Sequence, residues 1–171
     1  MADHSDLGRE IFVFQINVGT EAQEVVSILD PGTAFTHGLP TEAILGMVRP
    51  DATGGDWITP ERFQENPAFV QYLRALISDR VYDVEGLRRA AQQQGEGYVY
   101  LIDARTPQPD GQVPPADIIG AVKVQDGTLV VASYQHNPNH RLLTRDGFFR
   151  LPTELETILQ TDLHARSTQP H

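Results

Sequence analysis

A two-residue turn, Asp126-Gly127, is the feature that most constrains what this chain can fold into. It separates two runs rich in β-favouring residues, 119–125 and 128–133, and Asp-Gly tolerates the positive φ angles of a tight turn. Upstream, residues 98–102 read Tyr-Val-Tyr-Leu-Ile, an apolar run that is typical of a buried strand. The sequence therefore predicts a buried strand followed by a β-hairpin at 119–133.

The first third of the chain predicts one strand and two short helices. Residues 11–18 are apolar at nearly every position, which is typical of a strand in the centre of a sheet. Thr20 and Gln23 form a capping-box pattern and predict a short helix that ends at residues 30–32, Asp-Pro-Gly. Apolar residues at helical spacing favour a second short helix over 41–47.

Four more helices are predicted further along the chain. Thr59 can cap a helix whose first residue is Pro60, and Asn66-Pro67 repeats this pattern. The apolar residues after Asn66-Pro67 recur at i, i+3, i+4 and i+7, which indicates an amphipathic helix. A further helix is predicted from Asp83, and a closing one from the capping box that begins at Thr153.

These elements predict an α+β fold with a mixed, mainly antiparallel sheet and several flanking helices. A chain of 171 residues is long enough for one domain with a substantial core, which we place at 9–166. The polar ends, 1–8 and 167–171, are predicted to be disordered. No internal repeat is apparent in the sequence.

The composition excludes several classes of function. The chain has no cysteine, so disulfides and thiolate metal sites are excluded, and no metal site is predicted. A formal net charge of -10 argues against nucleic acid as a partner, because binding to phosphates needs a basic face. The sequence contains neither a signal peptide nor an apolar run of about 20 residues, so no membrane partner is predicted. We expect a cytoplasmic protein, or one exported without a classical signal peptide.

Residues 97–141 also carry a family resemblance. Its features are the strand at 98–103, a Pro-led segment at 114–124 and an Asn-Pro-Asn turn at 137–139. In this order they resemble the carboxy-terminal half of bacterial mono-ADP-ribosyltransferase toxins of the heat-labile enterotoxin A and pertussis type. The resemblance implies an ADP-ribosyltransferase-like fold, NAD as the cofactor and a place in a bacterial toxin or effector system.

The resemblance also identifies three site positions, and at each of them this chain departs from the family. The family's NAD-binding arginine on the first strand falls on Gln15, and its Ser-Thr-Ser motif falls near Thr59. Its catalytic glutamate loop falls on 104–113, where Asp110 is the only carboxylate. The resemblance therefore implies a transferase that is catalytically impaired. Gln15 is equally explained as a polar strand residue, and Thr59 as a helix cap.

Two histidine patterns leave alternatives open. His136 and His140 are four residues apart, as in a helical metal-binding pair, but Pro138 favours solvated histidines of a turn. His37-Gly38 resembles the Tyr-His-Gly strand of the diphtheria-type transferases, although a loop is as compatible with the flanking residues.

The acidic charge supports a second function class. In this hypothesis the chain is a non-catalytic module that binds a protein partner, as a bacterial immunity or regulatory protein does. The sequence leaves the partner and the oligomeric state open.

Overall fold

The computed structural model describes residues 9–49, 58–105 and 113–168. These residues form helices and antiparallel sheets, which confirms the predicted α+β class. The chain divides into two compact units. Unit 1 comprises Met1–Leu73, Leu142–Phe148 and Ile158–His171, and unit 2 comprises Arg74–Arg141 and Phe149–Thr157. The single domain expected over 9–166 stays a prediction.

The described strands and α-helices follow one another in this order: β1 (Phe12–Val18), β2 (Glu21–Ser27), α1 (Pro31–His37), β3 (Ile44–Val48), β4 (Phe63–Glu65), α2 (Pro67–Arg80), α3 (Glu85–Gln94), β5 (Gly97–Ile102), β6 (Ile118–Gln125), β7 (Thr128–Leu129), β8 (Gln135–His136), β9 (Leu143–Thr144), β10 (Gly147–Phe148) and α4 (Thr153–Thr168). Short 3-10 turns at Thr41–Ala43 and Pro115–Asp117 precede β3 and β6.

Unit 1 contains a four-stranded antiparallel sheet in the order β1-β2-β3-β4. β1 is an edge strand, so its predicted central position is wrong. The helix predicted after Thr20 is also wrong, because these residues form β2 and pair with β1 across a turn at Gly19-Thr20. Gly19 has φ 66°, which favours a tight turn, and the β-branched pair Val25-Val26 suits a strand.

Two further helix predictions are wrong and one is confirmed. The helix predicted over 41–47 is wrong, because a short 3-10 turn is followed by β3 from Ile44. The helix predicted from Pro60 is also wrong, because a turn begins there and leads into β4. Residues 30–32 were predicted to end a helix, but they lie at the start of α1. The Asp30 carboxylate caps this helix by accepting the Thr33 amide at 2.9 Å. The amphipathic helix after Asn66-Pro67 is confirmed as α2.

Unit 2 contains a sheet in the order β5-β6-β7, with β8 also paired to β6. The predicted hairpin is confirmed, and its turn residues Asp126 and Gly127 have φ 52° and 72°. Its second strand is short, Thr128–Leu129. The predicted strand at 98–102 is confirmed as β5, but it is buried on one side only: Val99 and Leu101 are in the core, whereas Tyr98 and Tyr100 are partly exposed.

The remaining helices lie close to their predicted positions. α3 begins two residues after Asp83, and α4 begins at Thr153. α4 extends to Thr168, and Ser167 is buried, so disorder was predicted to start too early. Residues 1–8 and 169–171 lie outside the described residues, as do 50–57 and 106–112.

The two units share a module that was not apparent in the sequence. In each, a strand with a bulge near its end pairs with the strand that follows a 3-10 turn, and that strand pairs with a third. The registers correspond residue by residue: Gly46 opposes Glu65 in unit 1, as Gly120 opposes His136 in unit 2. Hence β2, β3 and β4 correspond to β5, β6 and β8.

An asparagine fixes the turn of the shared module in the same way in both units. Asn66 and Asn137 each donate from Nδ2 to two carbonyl oxygens of the 3-10 turn region, at 2.8–3.0 Å. The acceptors are Thr41 and Ile44 in unit 1, and Pro115 and Ile118 in unit 2. Each asparagine also accepts, at its Oδ1, the amide two residues later. The Asn-Pro dipeptides of the sequence therefore mark one repeated structural element.

A glycine and an aromatic ring form the second repeated contact. A Cβ at Gly46 would lie 2.6 Å from the Phe63 ring, and one at Gly120 would lie 2.5 Å from the Tyr134 ring. Glycine is required at both positions because no side chain fits between the strand and the ring. The two units therefore repeat a structural element, although no internal repeat is apparent in the sequence.

Candidate functional site

Of the three site residues that the family resemblance implies, Gln15 and Thr59 lie among the described residues. Gln15 is exposed on β1 and lines a cleft of about 240 Å³ together with Arg49 and Arg62. Thr59 does not line this cleft; its carbonyl accepts the amides of the turn before β4. Its predicted role as a helix cap is wrong, because no helix begins at residue 60. Asp110 lies outside the described residues.

Unit 2 contains a cluster of buried charged side chains that sequence reasoning missed. His140 Nε2 lies 3.0 Å from Oδ2 of Asp103, and both residues are buried. The other oxygen of Asp103 accepts the backbone amides of Arg105 at 3.1 Å and Arg150 at 2.7 Å. The prediction of a solvated histidine is therefore wrong for His140, whose partner is 37 residues away in the sequence.

The guanidinium group of Arg105 completes this buried cluster. Its Nε lies 2.8 Å from Oδ1 of Asp117, and its terminal nitrogen donates to the carbonyl groups of Ala116 and Arg141. Buried charges are tolerated when they are paired and hydrogen-bonded in this way. The cluster joins four chain segments through satisfied groups, so we assign it a structural role.

His136 and Tyr134 lie beside the buried cluster. His136 Nδ1 is 3.2 Å from the Tyr134 hydroxyl, and the imidazole rings of His136 and His140 meet edge to face at 6.3 Å. Burial, followed by the nearby charges of His140 and Arg74, lowers the pKa of His136 to about 4. Burial raises the pKa of Tyr134. Both groups are therefore neutral near pH 7.

At two positions of the shared module, unit 2 has residues of the buried cluster where unit 1 has apolar residues. Asp117, the last residue of its 3-10 turn, corresponds to Ala43. His140, three residues after the asparagine, corresponds to Phe69, which is fully buried. Unit 1 therefore has an apolar core at the positions where unit 2 has an ionic one.

One face of the unit 2 sheet carries two partly exposed tyrosines. Tyr98 and Tyr100 are 44% and 57% exposed, and both point away from the face of β5 that packs against α3. Lys123 and Ala121 lie opposite them on β6. We call these four residues the tyrosine face. The alternation of Tyr with Val and Leu was the sequence signal for this face.

The Glu96 side chain joins one end of β5 to the turn of the hairpin. Its carboxylate, two residues before Tyr98 in the sequence, accepts the Asp126 amide at 3.3 Å. On the same end, the turn of the hairpin is held by a bond from the Gly127 amide to the Gly95 carbonyl at 2.9 Å. Two hydrogen bonds therefore hold the start of β5 to the hairpin turn.

No protein-family model, curated protein or solved structure matches this chain. The family resemblance of residues 97–141 therefore stays a prediction.

Residues 9–49, 58–105 and 113–168 contain neither a metal-binding cluster nor a membrane-spanning helix. Within these ranges, no group of three or more His, Asp or Glu side chains could hold a metal ion. In the same ranges, no helix is both long and apolar enough to cross a membrane.

Proposed function

We propose that this chain is a non-catalytic protein-interaction module, and that the tyrosine face binds a basic partner protein. The observation that carries the proposal is the pair Tyr98 and Tyr100, which are about half exposed on the same face of β5. Tyrosine is enriched in the energetically dominant positions of interfaces, because its ring buries a large area with little loss of side-chain entropy.

The charge of the chain supports the choice of partner. A net charge of -10 attracts a basic protein and raises its association rate. Glu96, two residues before Tyr98, supplies an exposed acidic group, where a salt bridge to a partner would be open to water. Such pairs contribute mainly to association rate and selectivity. Neutralisation of a basic toxin, as by an immunity protein, is an activity of this kind.

The transferase hypothesis has less support. Asp103, Asn137 and His140 belong to the stretch that resembles the toxins, and each has a structural hydrogen-bonding role here. The asparagine contact also occurs in unit 1, outside that stretch. NAD binding through Gln15, Thr59 and Asp110 stays a prediction, and a shift of Tm with NAD would test it.

Site-specific photocrosslinking tests the interaction module. A benzoylphenylalanine at position 100 is expected to give one discrete adduct in cells of the source organism, and excess unlabelled protein is expected to abolish it. The same group at Gln93, an exposed position of α3, is the matched control. The partner is then purified, and its Kd is measured for the wild type and for the double variant Tyr98→Ser, Tyr100→Ser.

The double variant is expected to weaken binding by about 100-fold or more, since truncating two tyrosines of a binding centre costs about 3 kcal/mol or more in total. A folded double variant that binds the partner as tightly as the wild type would refute the role of the tyrosine face. So would an adduct that forms equally well from position 93.

A further inference from the structure

β5 lies at the edge of the unit 2 sheet among the described strands. In unit 1, the outer edge of β2 is covered by β1 along its whole length. In unit 2, the corresponding strand β5 pairs with β6, and no described strand covers its other edge. β1 therefore has no counterpart beside β5 among the described strands of unit 2.

The hydrogen bonds of β6 show which N–H and C=O groups of β5 point to this open edge. The Lys123 amide donates to Ser133 Oγ at 3.0 Å, and the Lys123 carbonyl accepts the Val130 amide at 2.9 Å. Both groups of Lys123 therefore point away from β5, which makes Tyr98 and Lys123 a non-hydrogen-bonded pair. The N–H and C=O groups of Tyr98, and those of Tyr100 two residues later, consequently point to the open edge.

The corresponding groups of unit 1 hold β1. The two-residue turn at Gly19-Thr20 closes a hairpin in which hydrogen-bonded pairs alternate, so Gln23 and Val25 bond to β1. Val25 opposes Met47 on β3, just as Tyr100 opposes Ala121 at the corresponding place on β6. Tyr98 and Tyr100 therefore present the same backbone groups that bind a strand in unit 1.

One side chain protects part of this edge. The amide of Gln94 donates to the Tyr98 carbonyl at 2.7 Å and to the Glu96 carbonyl at 2.9 Å. Proteins commonly guard an edge strand against indiscriminate pairing in such ways. An incoming strand would displace the Gln94 amide and take over its bond.

We propose that a partner protein adds a strand to the open edge of β5, antiparallel to it, in the position that β1 occupies in unit 1. This inference rests on the proposed function and specifies how the partner binds. The occupant is an extended segment with alternating apolar residues and flanking lysine or arginine. Its apolar residue opposite Tyr100 extends the tyrosine face, as Phe14 opposes Val25 in unit 1, and its basic flank meets Glu96.

A peptide probe tests strand addition on the full chain. The probe has the sequence of residues 11–18 between two lysines at each end, with acetylated and amidated termini. Hydrogen exchange is followed for single amides by NMR. The peptide is expected to slow exchange of Tyr98 and Tyr100 by about 10-fold or more. Val99 and Leu101, which already pair with β6, serve as internal controls and are expected to change little.

Two variants sharpen this test. A peptide of the same sequence with N-methyl groups on alternate residues keeps the side chains but cannot form the ladder, so it is expected to give no protection. The variant Gln94→Ala removes the protecting amide and is expected to bind the unmodified peptide a few-fold more tightly.

The outcomes separate the two proposals. Unchanged exchange of Tyr98 and Tyr100 at millimolar peptide, or equal protection by the methylated peptide, overturns strand addition. Protection that appears without peptide and grows with protein concentration, together with a dimer in sedimentation, assigns the edge to a second copy of this chain and also overturns it. If the partner crosslinks from position 100 while these amides exchange unchanged, the interaction module stands and strand addition falls.

Discussion

Removing the Asp103 carboxylate should be among the most destabilising single changes in unit 2. Asp103 is fully buried and accepts hydrogen bonds from the Arg105 and Arg150 amides and from His140. In Asp103→Ala these three donors lose their acceptor, and those of Arg105 and His140 remain buried. Arg105 keeps its bond to Asp117, so one ion pair survives. Breaking a buried ionic cluster by removing one partner costs about 3–5 kcal/mol.

Urea unfolding of the full chain measures this loss. For a protein of this size, about 3–5 kcal/mol also corresponds to a fall in Tm of about 6–20 °C. Asp79→Ala, which removes an exposed carboxylate of α2, is the matched control and should change the free energy of unfolding by less than about 0.5 kcal/mol. A loss below about 1 kcal/mol for Asp103→Ala would refute the view that the buried cluster holds its four segments together.

Three further predictions concern other features. The depressed pKa of His136 means that the unfolded chain binds more protons between pH 6.5 and about 4, so stability should fall by about 1–2 kcal/mol on acidification through this range. In His136→Gln, the free energy of unfolding measured in urea should lose about 1–2 kcal/mol less on the same acidification. An unchanged loss would contradict a depressed pKa for His136. Gly120→Ala should cost about 1–3 kcal/mol in urea unfolding because its Cβ meets an aromatic ring at 2.5 Å, whereas Gly86→Ala in α3 has free space and should stabilise slightly; equal effects would contradict the contact. Millimolar NAD should leave Tm unchanged, and a rise in Tm that Asp110→Ala abolishes would restore the transferase hypothesis.

Local signals predicted the hairpin and α2 because their determinants are close in sequence. Asp126-Gly127 sets its own turn, and Asn66 caps the helix that follows it. The capping-box pattern at Thr20 was misleading, since long-range pairing of β2 with β1 and β3 outweighs local helix preference. The α+β class could therefore be predicted, whereas the order of strands within each sheet could not.

Only part of the candidate site could be predicted from the sequence. The alternation of Tyr98 and Tyr100 with apolar residues was visible, but which side of β5 is covered depends on how α3 packs. The pairing of Asp103 with His140 joins residues far apart in the chain, and no local pattern encodes it. The shared module was hidden because few residue types recur, among them the glycine and the Asn-Pro dipeptide of each copy.

The most direct test of the central claim is the Kd of the crosslinked partner for the double variant Tyr98→Ser, Tyr100→Ser, measured beside the wild type. Both residues are exposed, so circular dichroism and Tm should show a folded protein. A folded variant that has lost about 100-fold or more in affinity is the result that the interaction module predicts. An affinity within about three-fold of the wild type would contradict it.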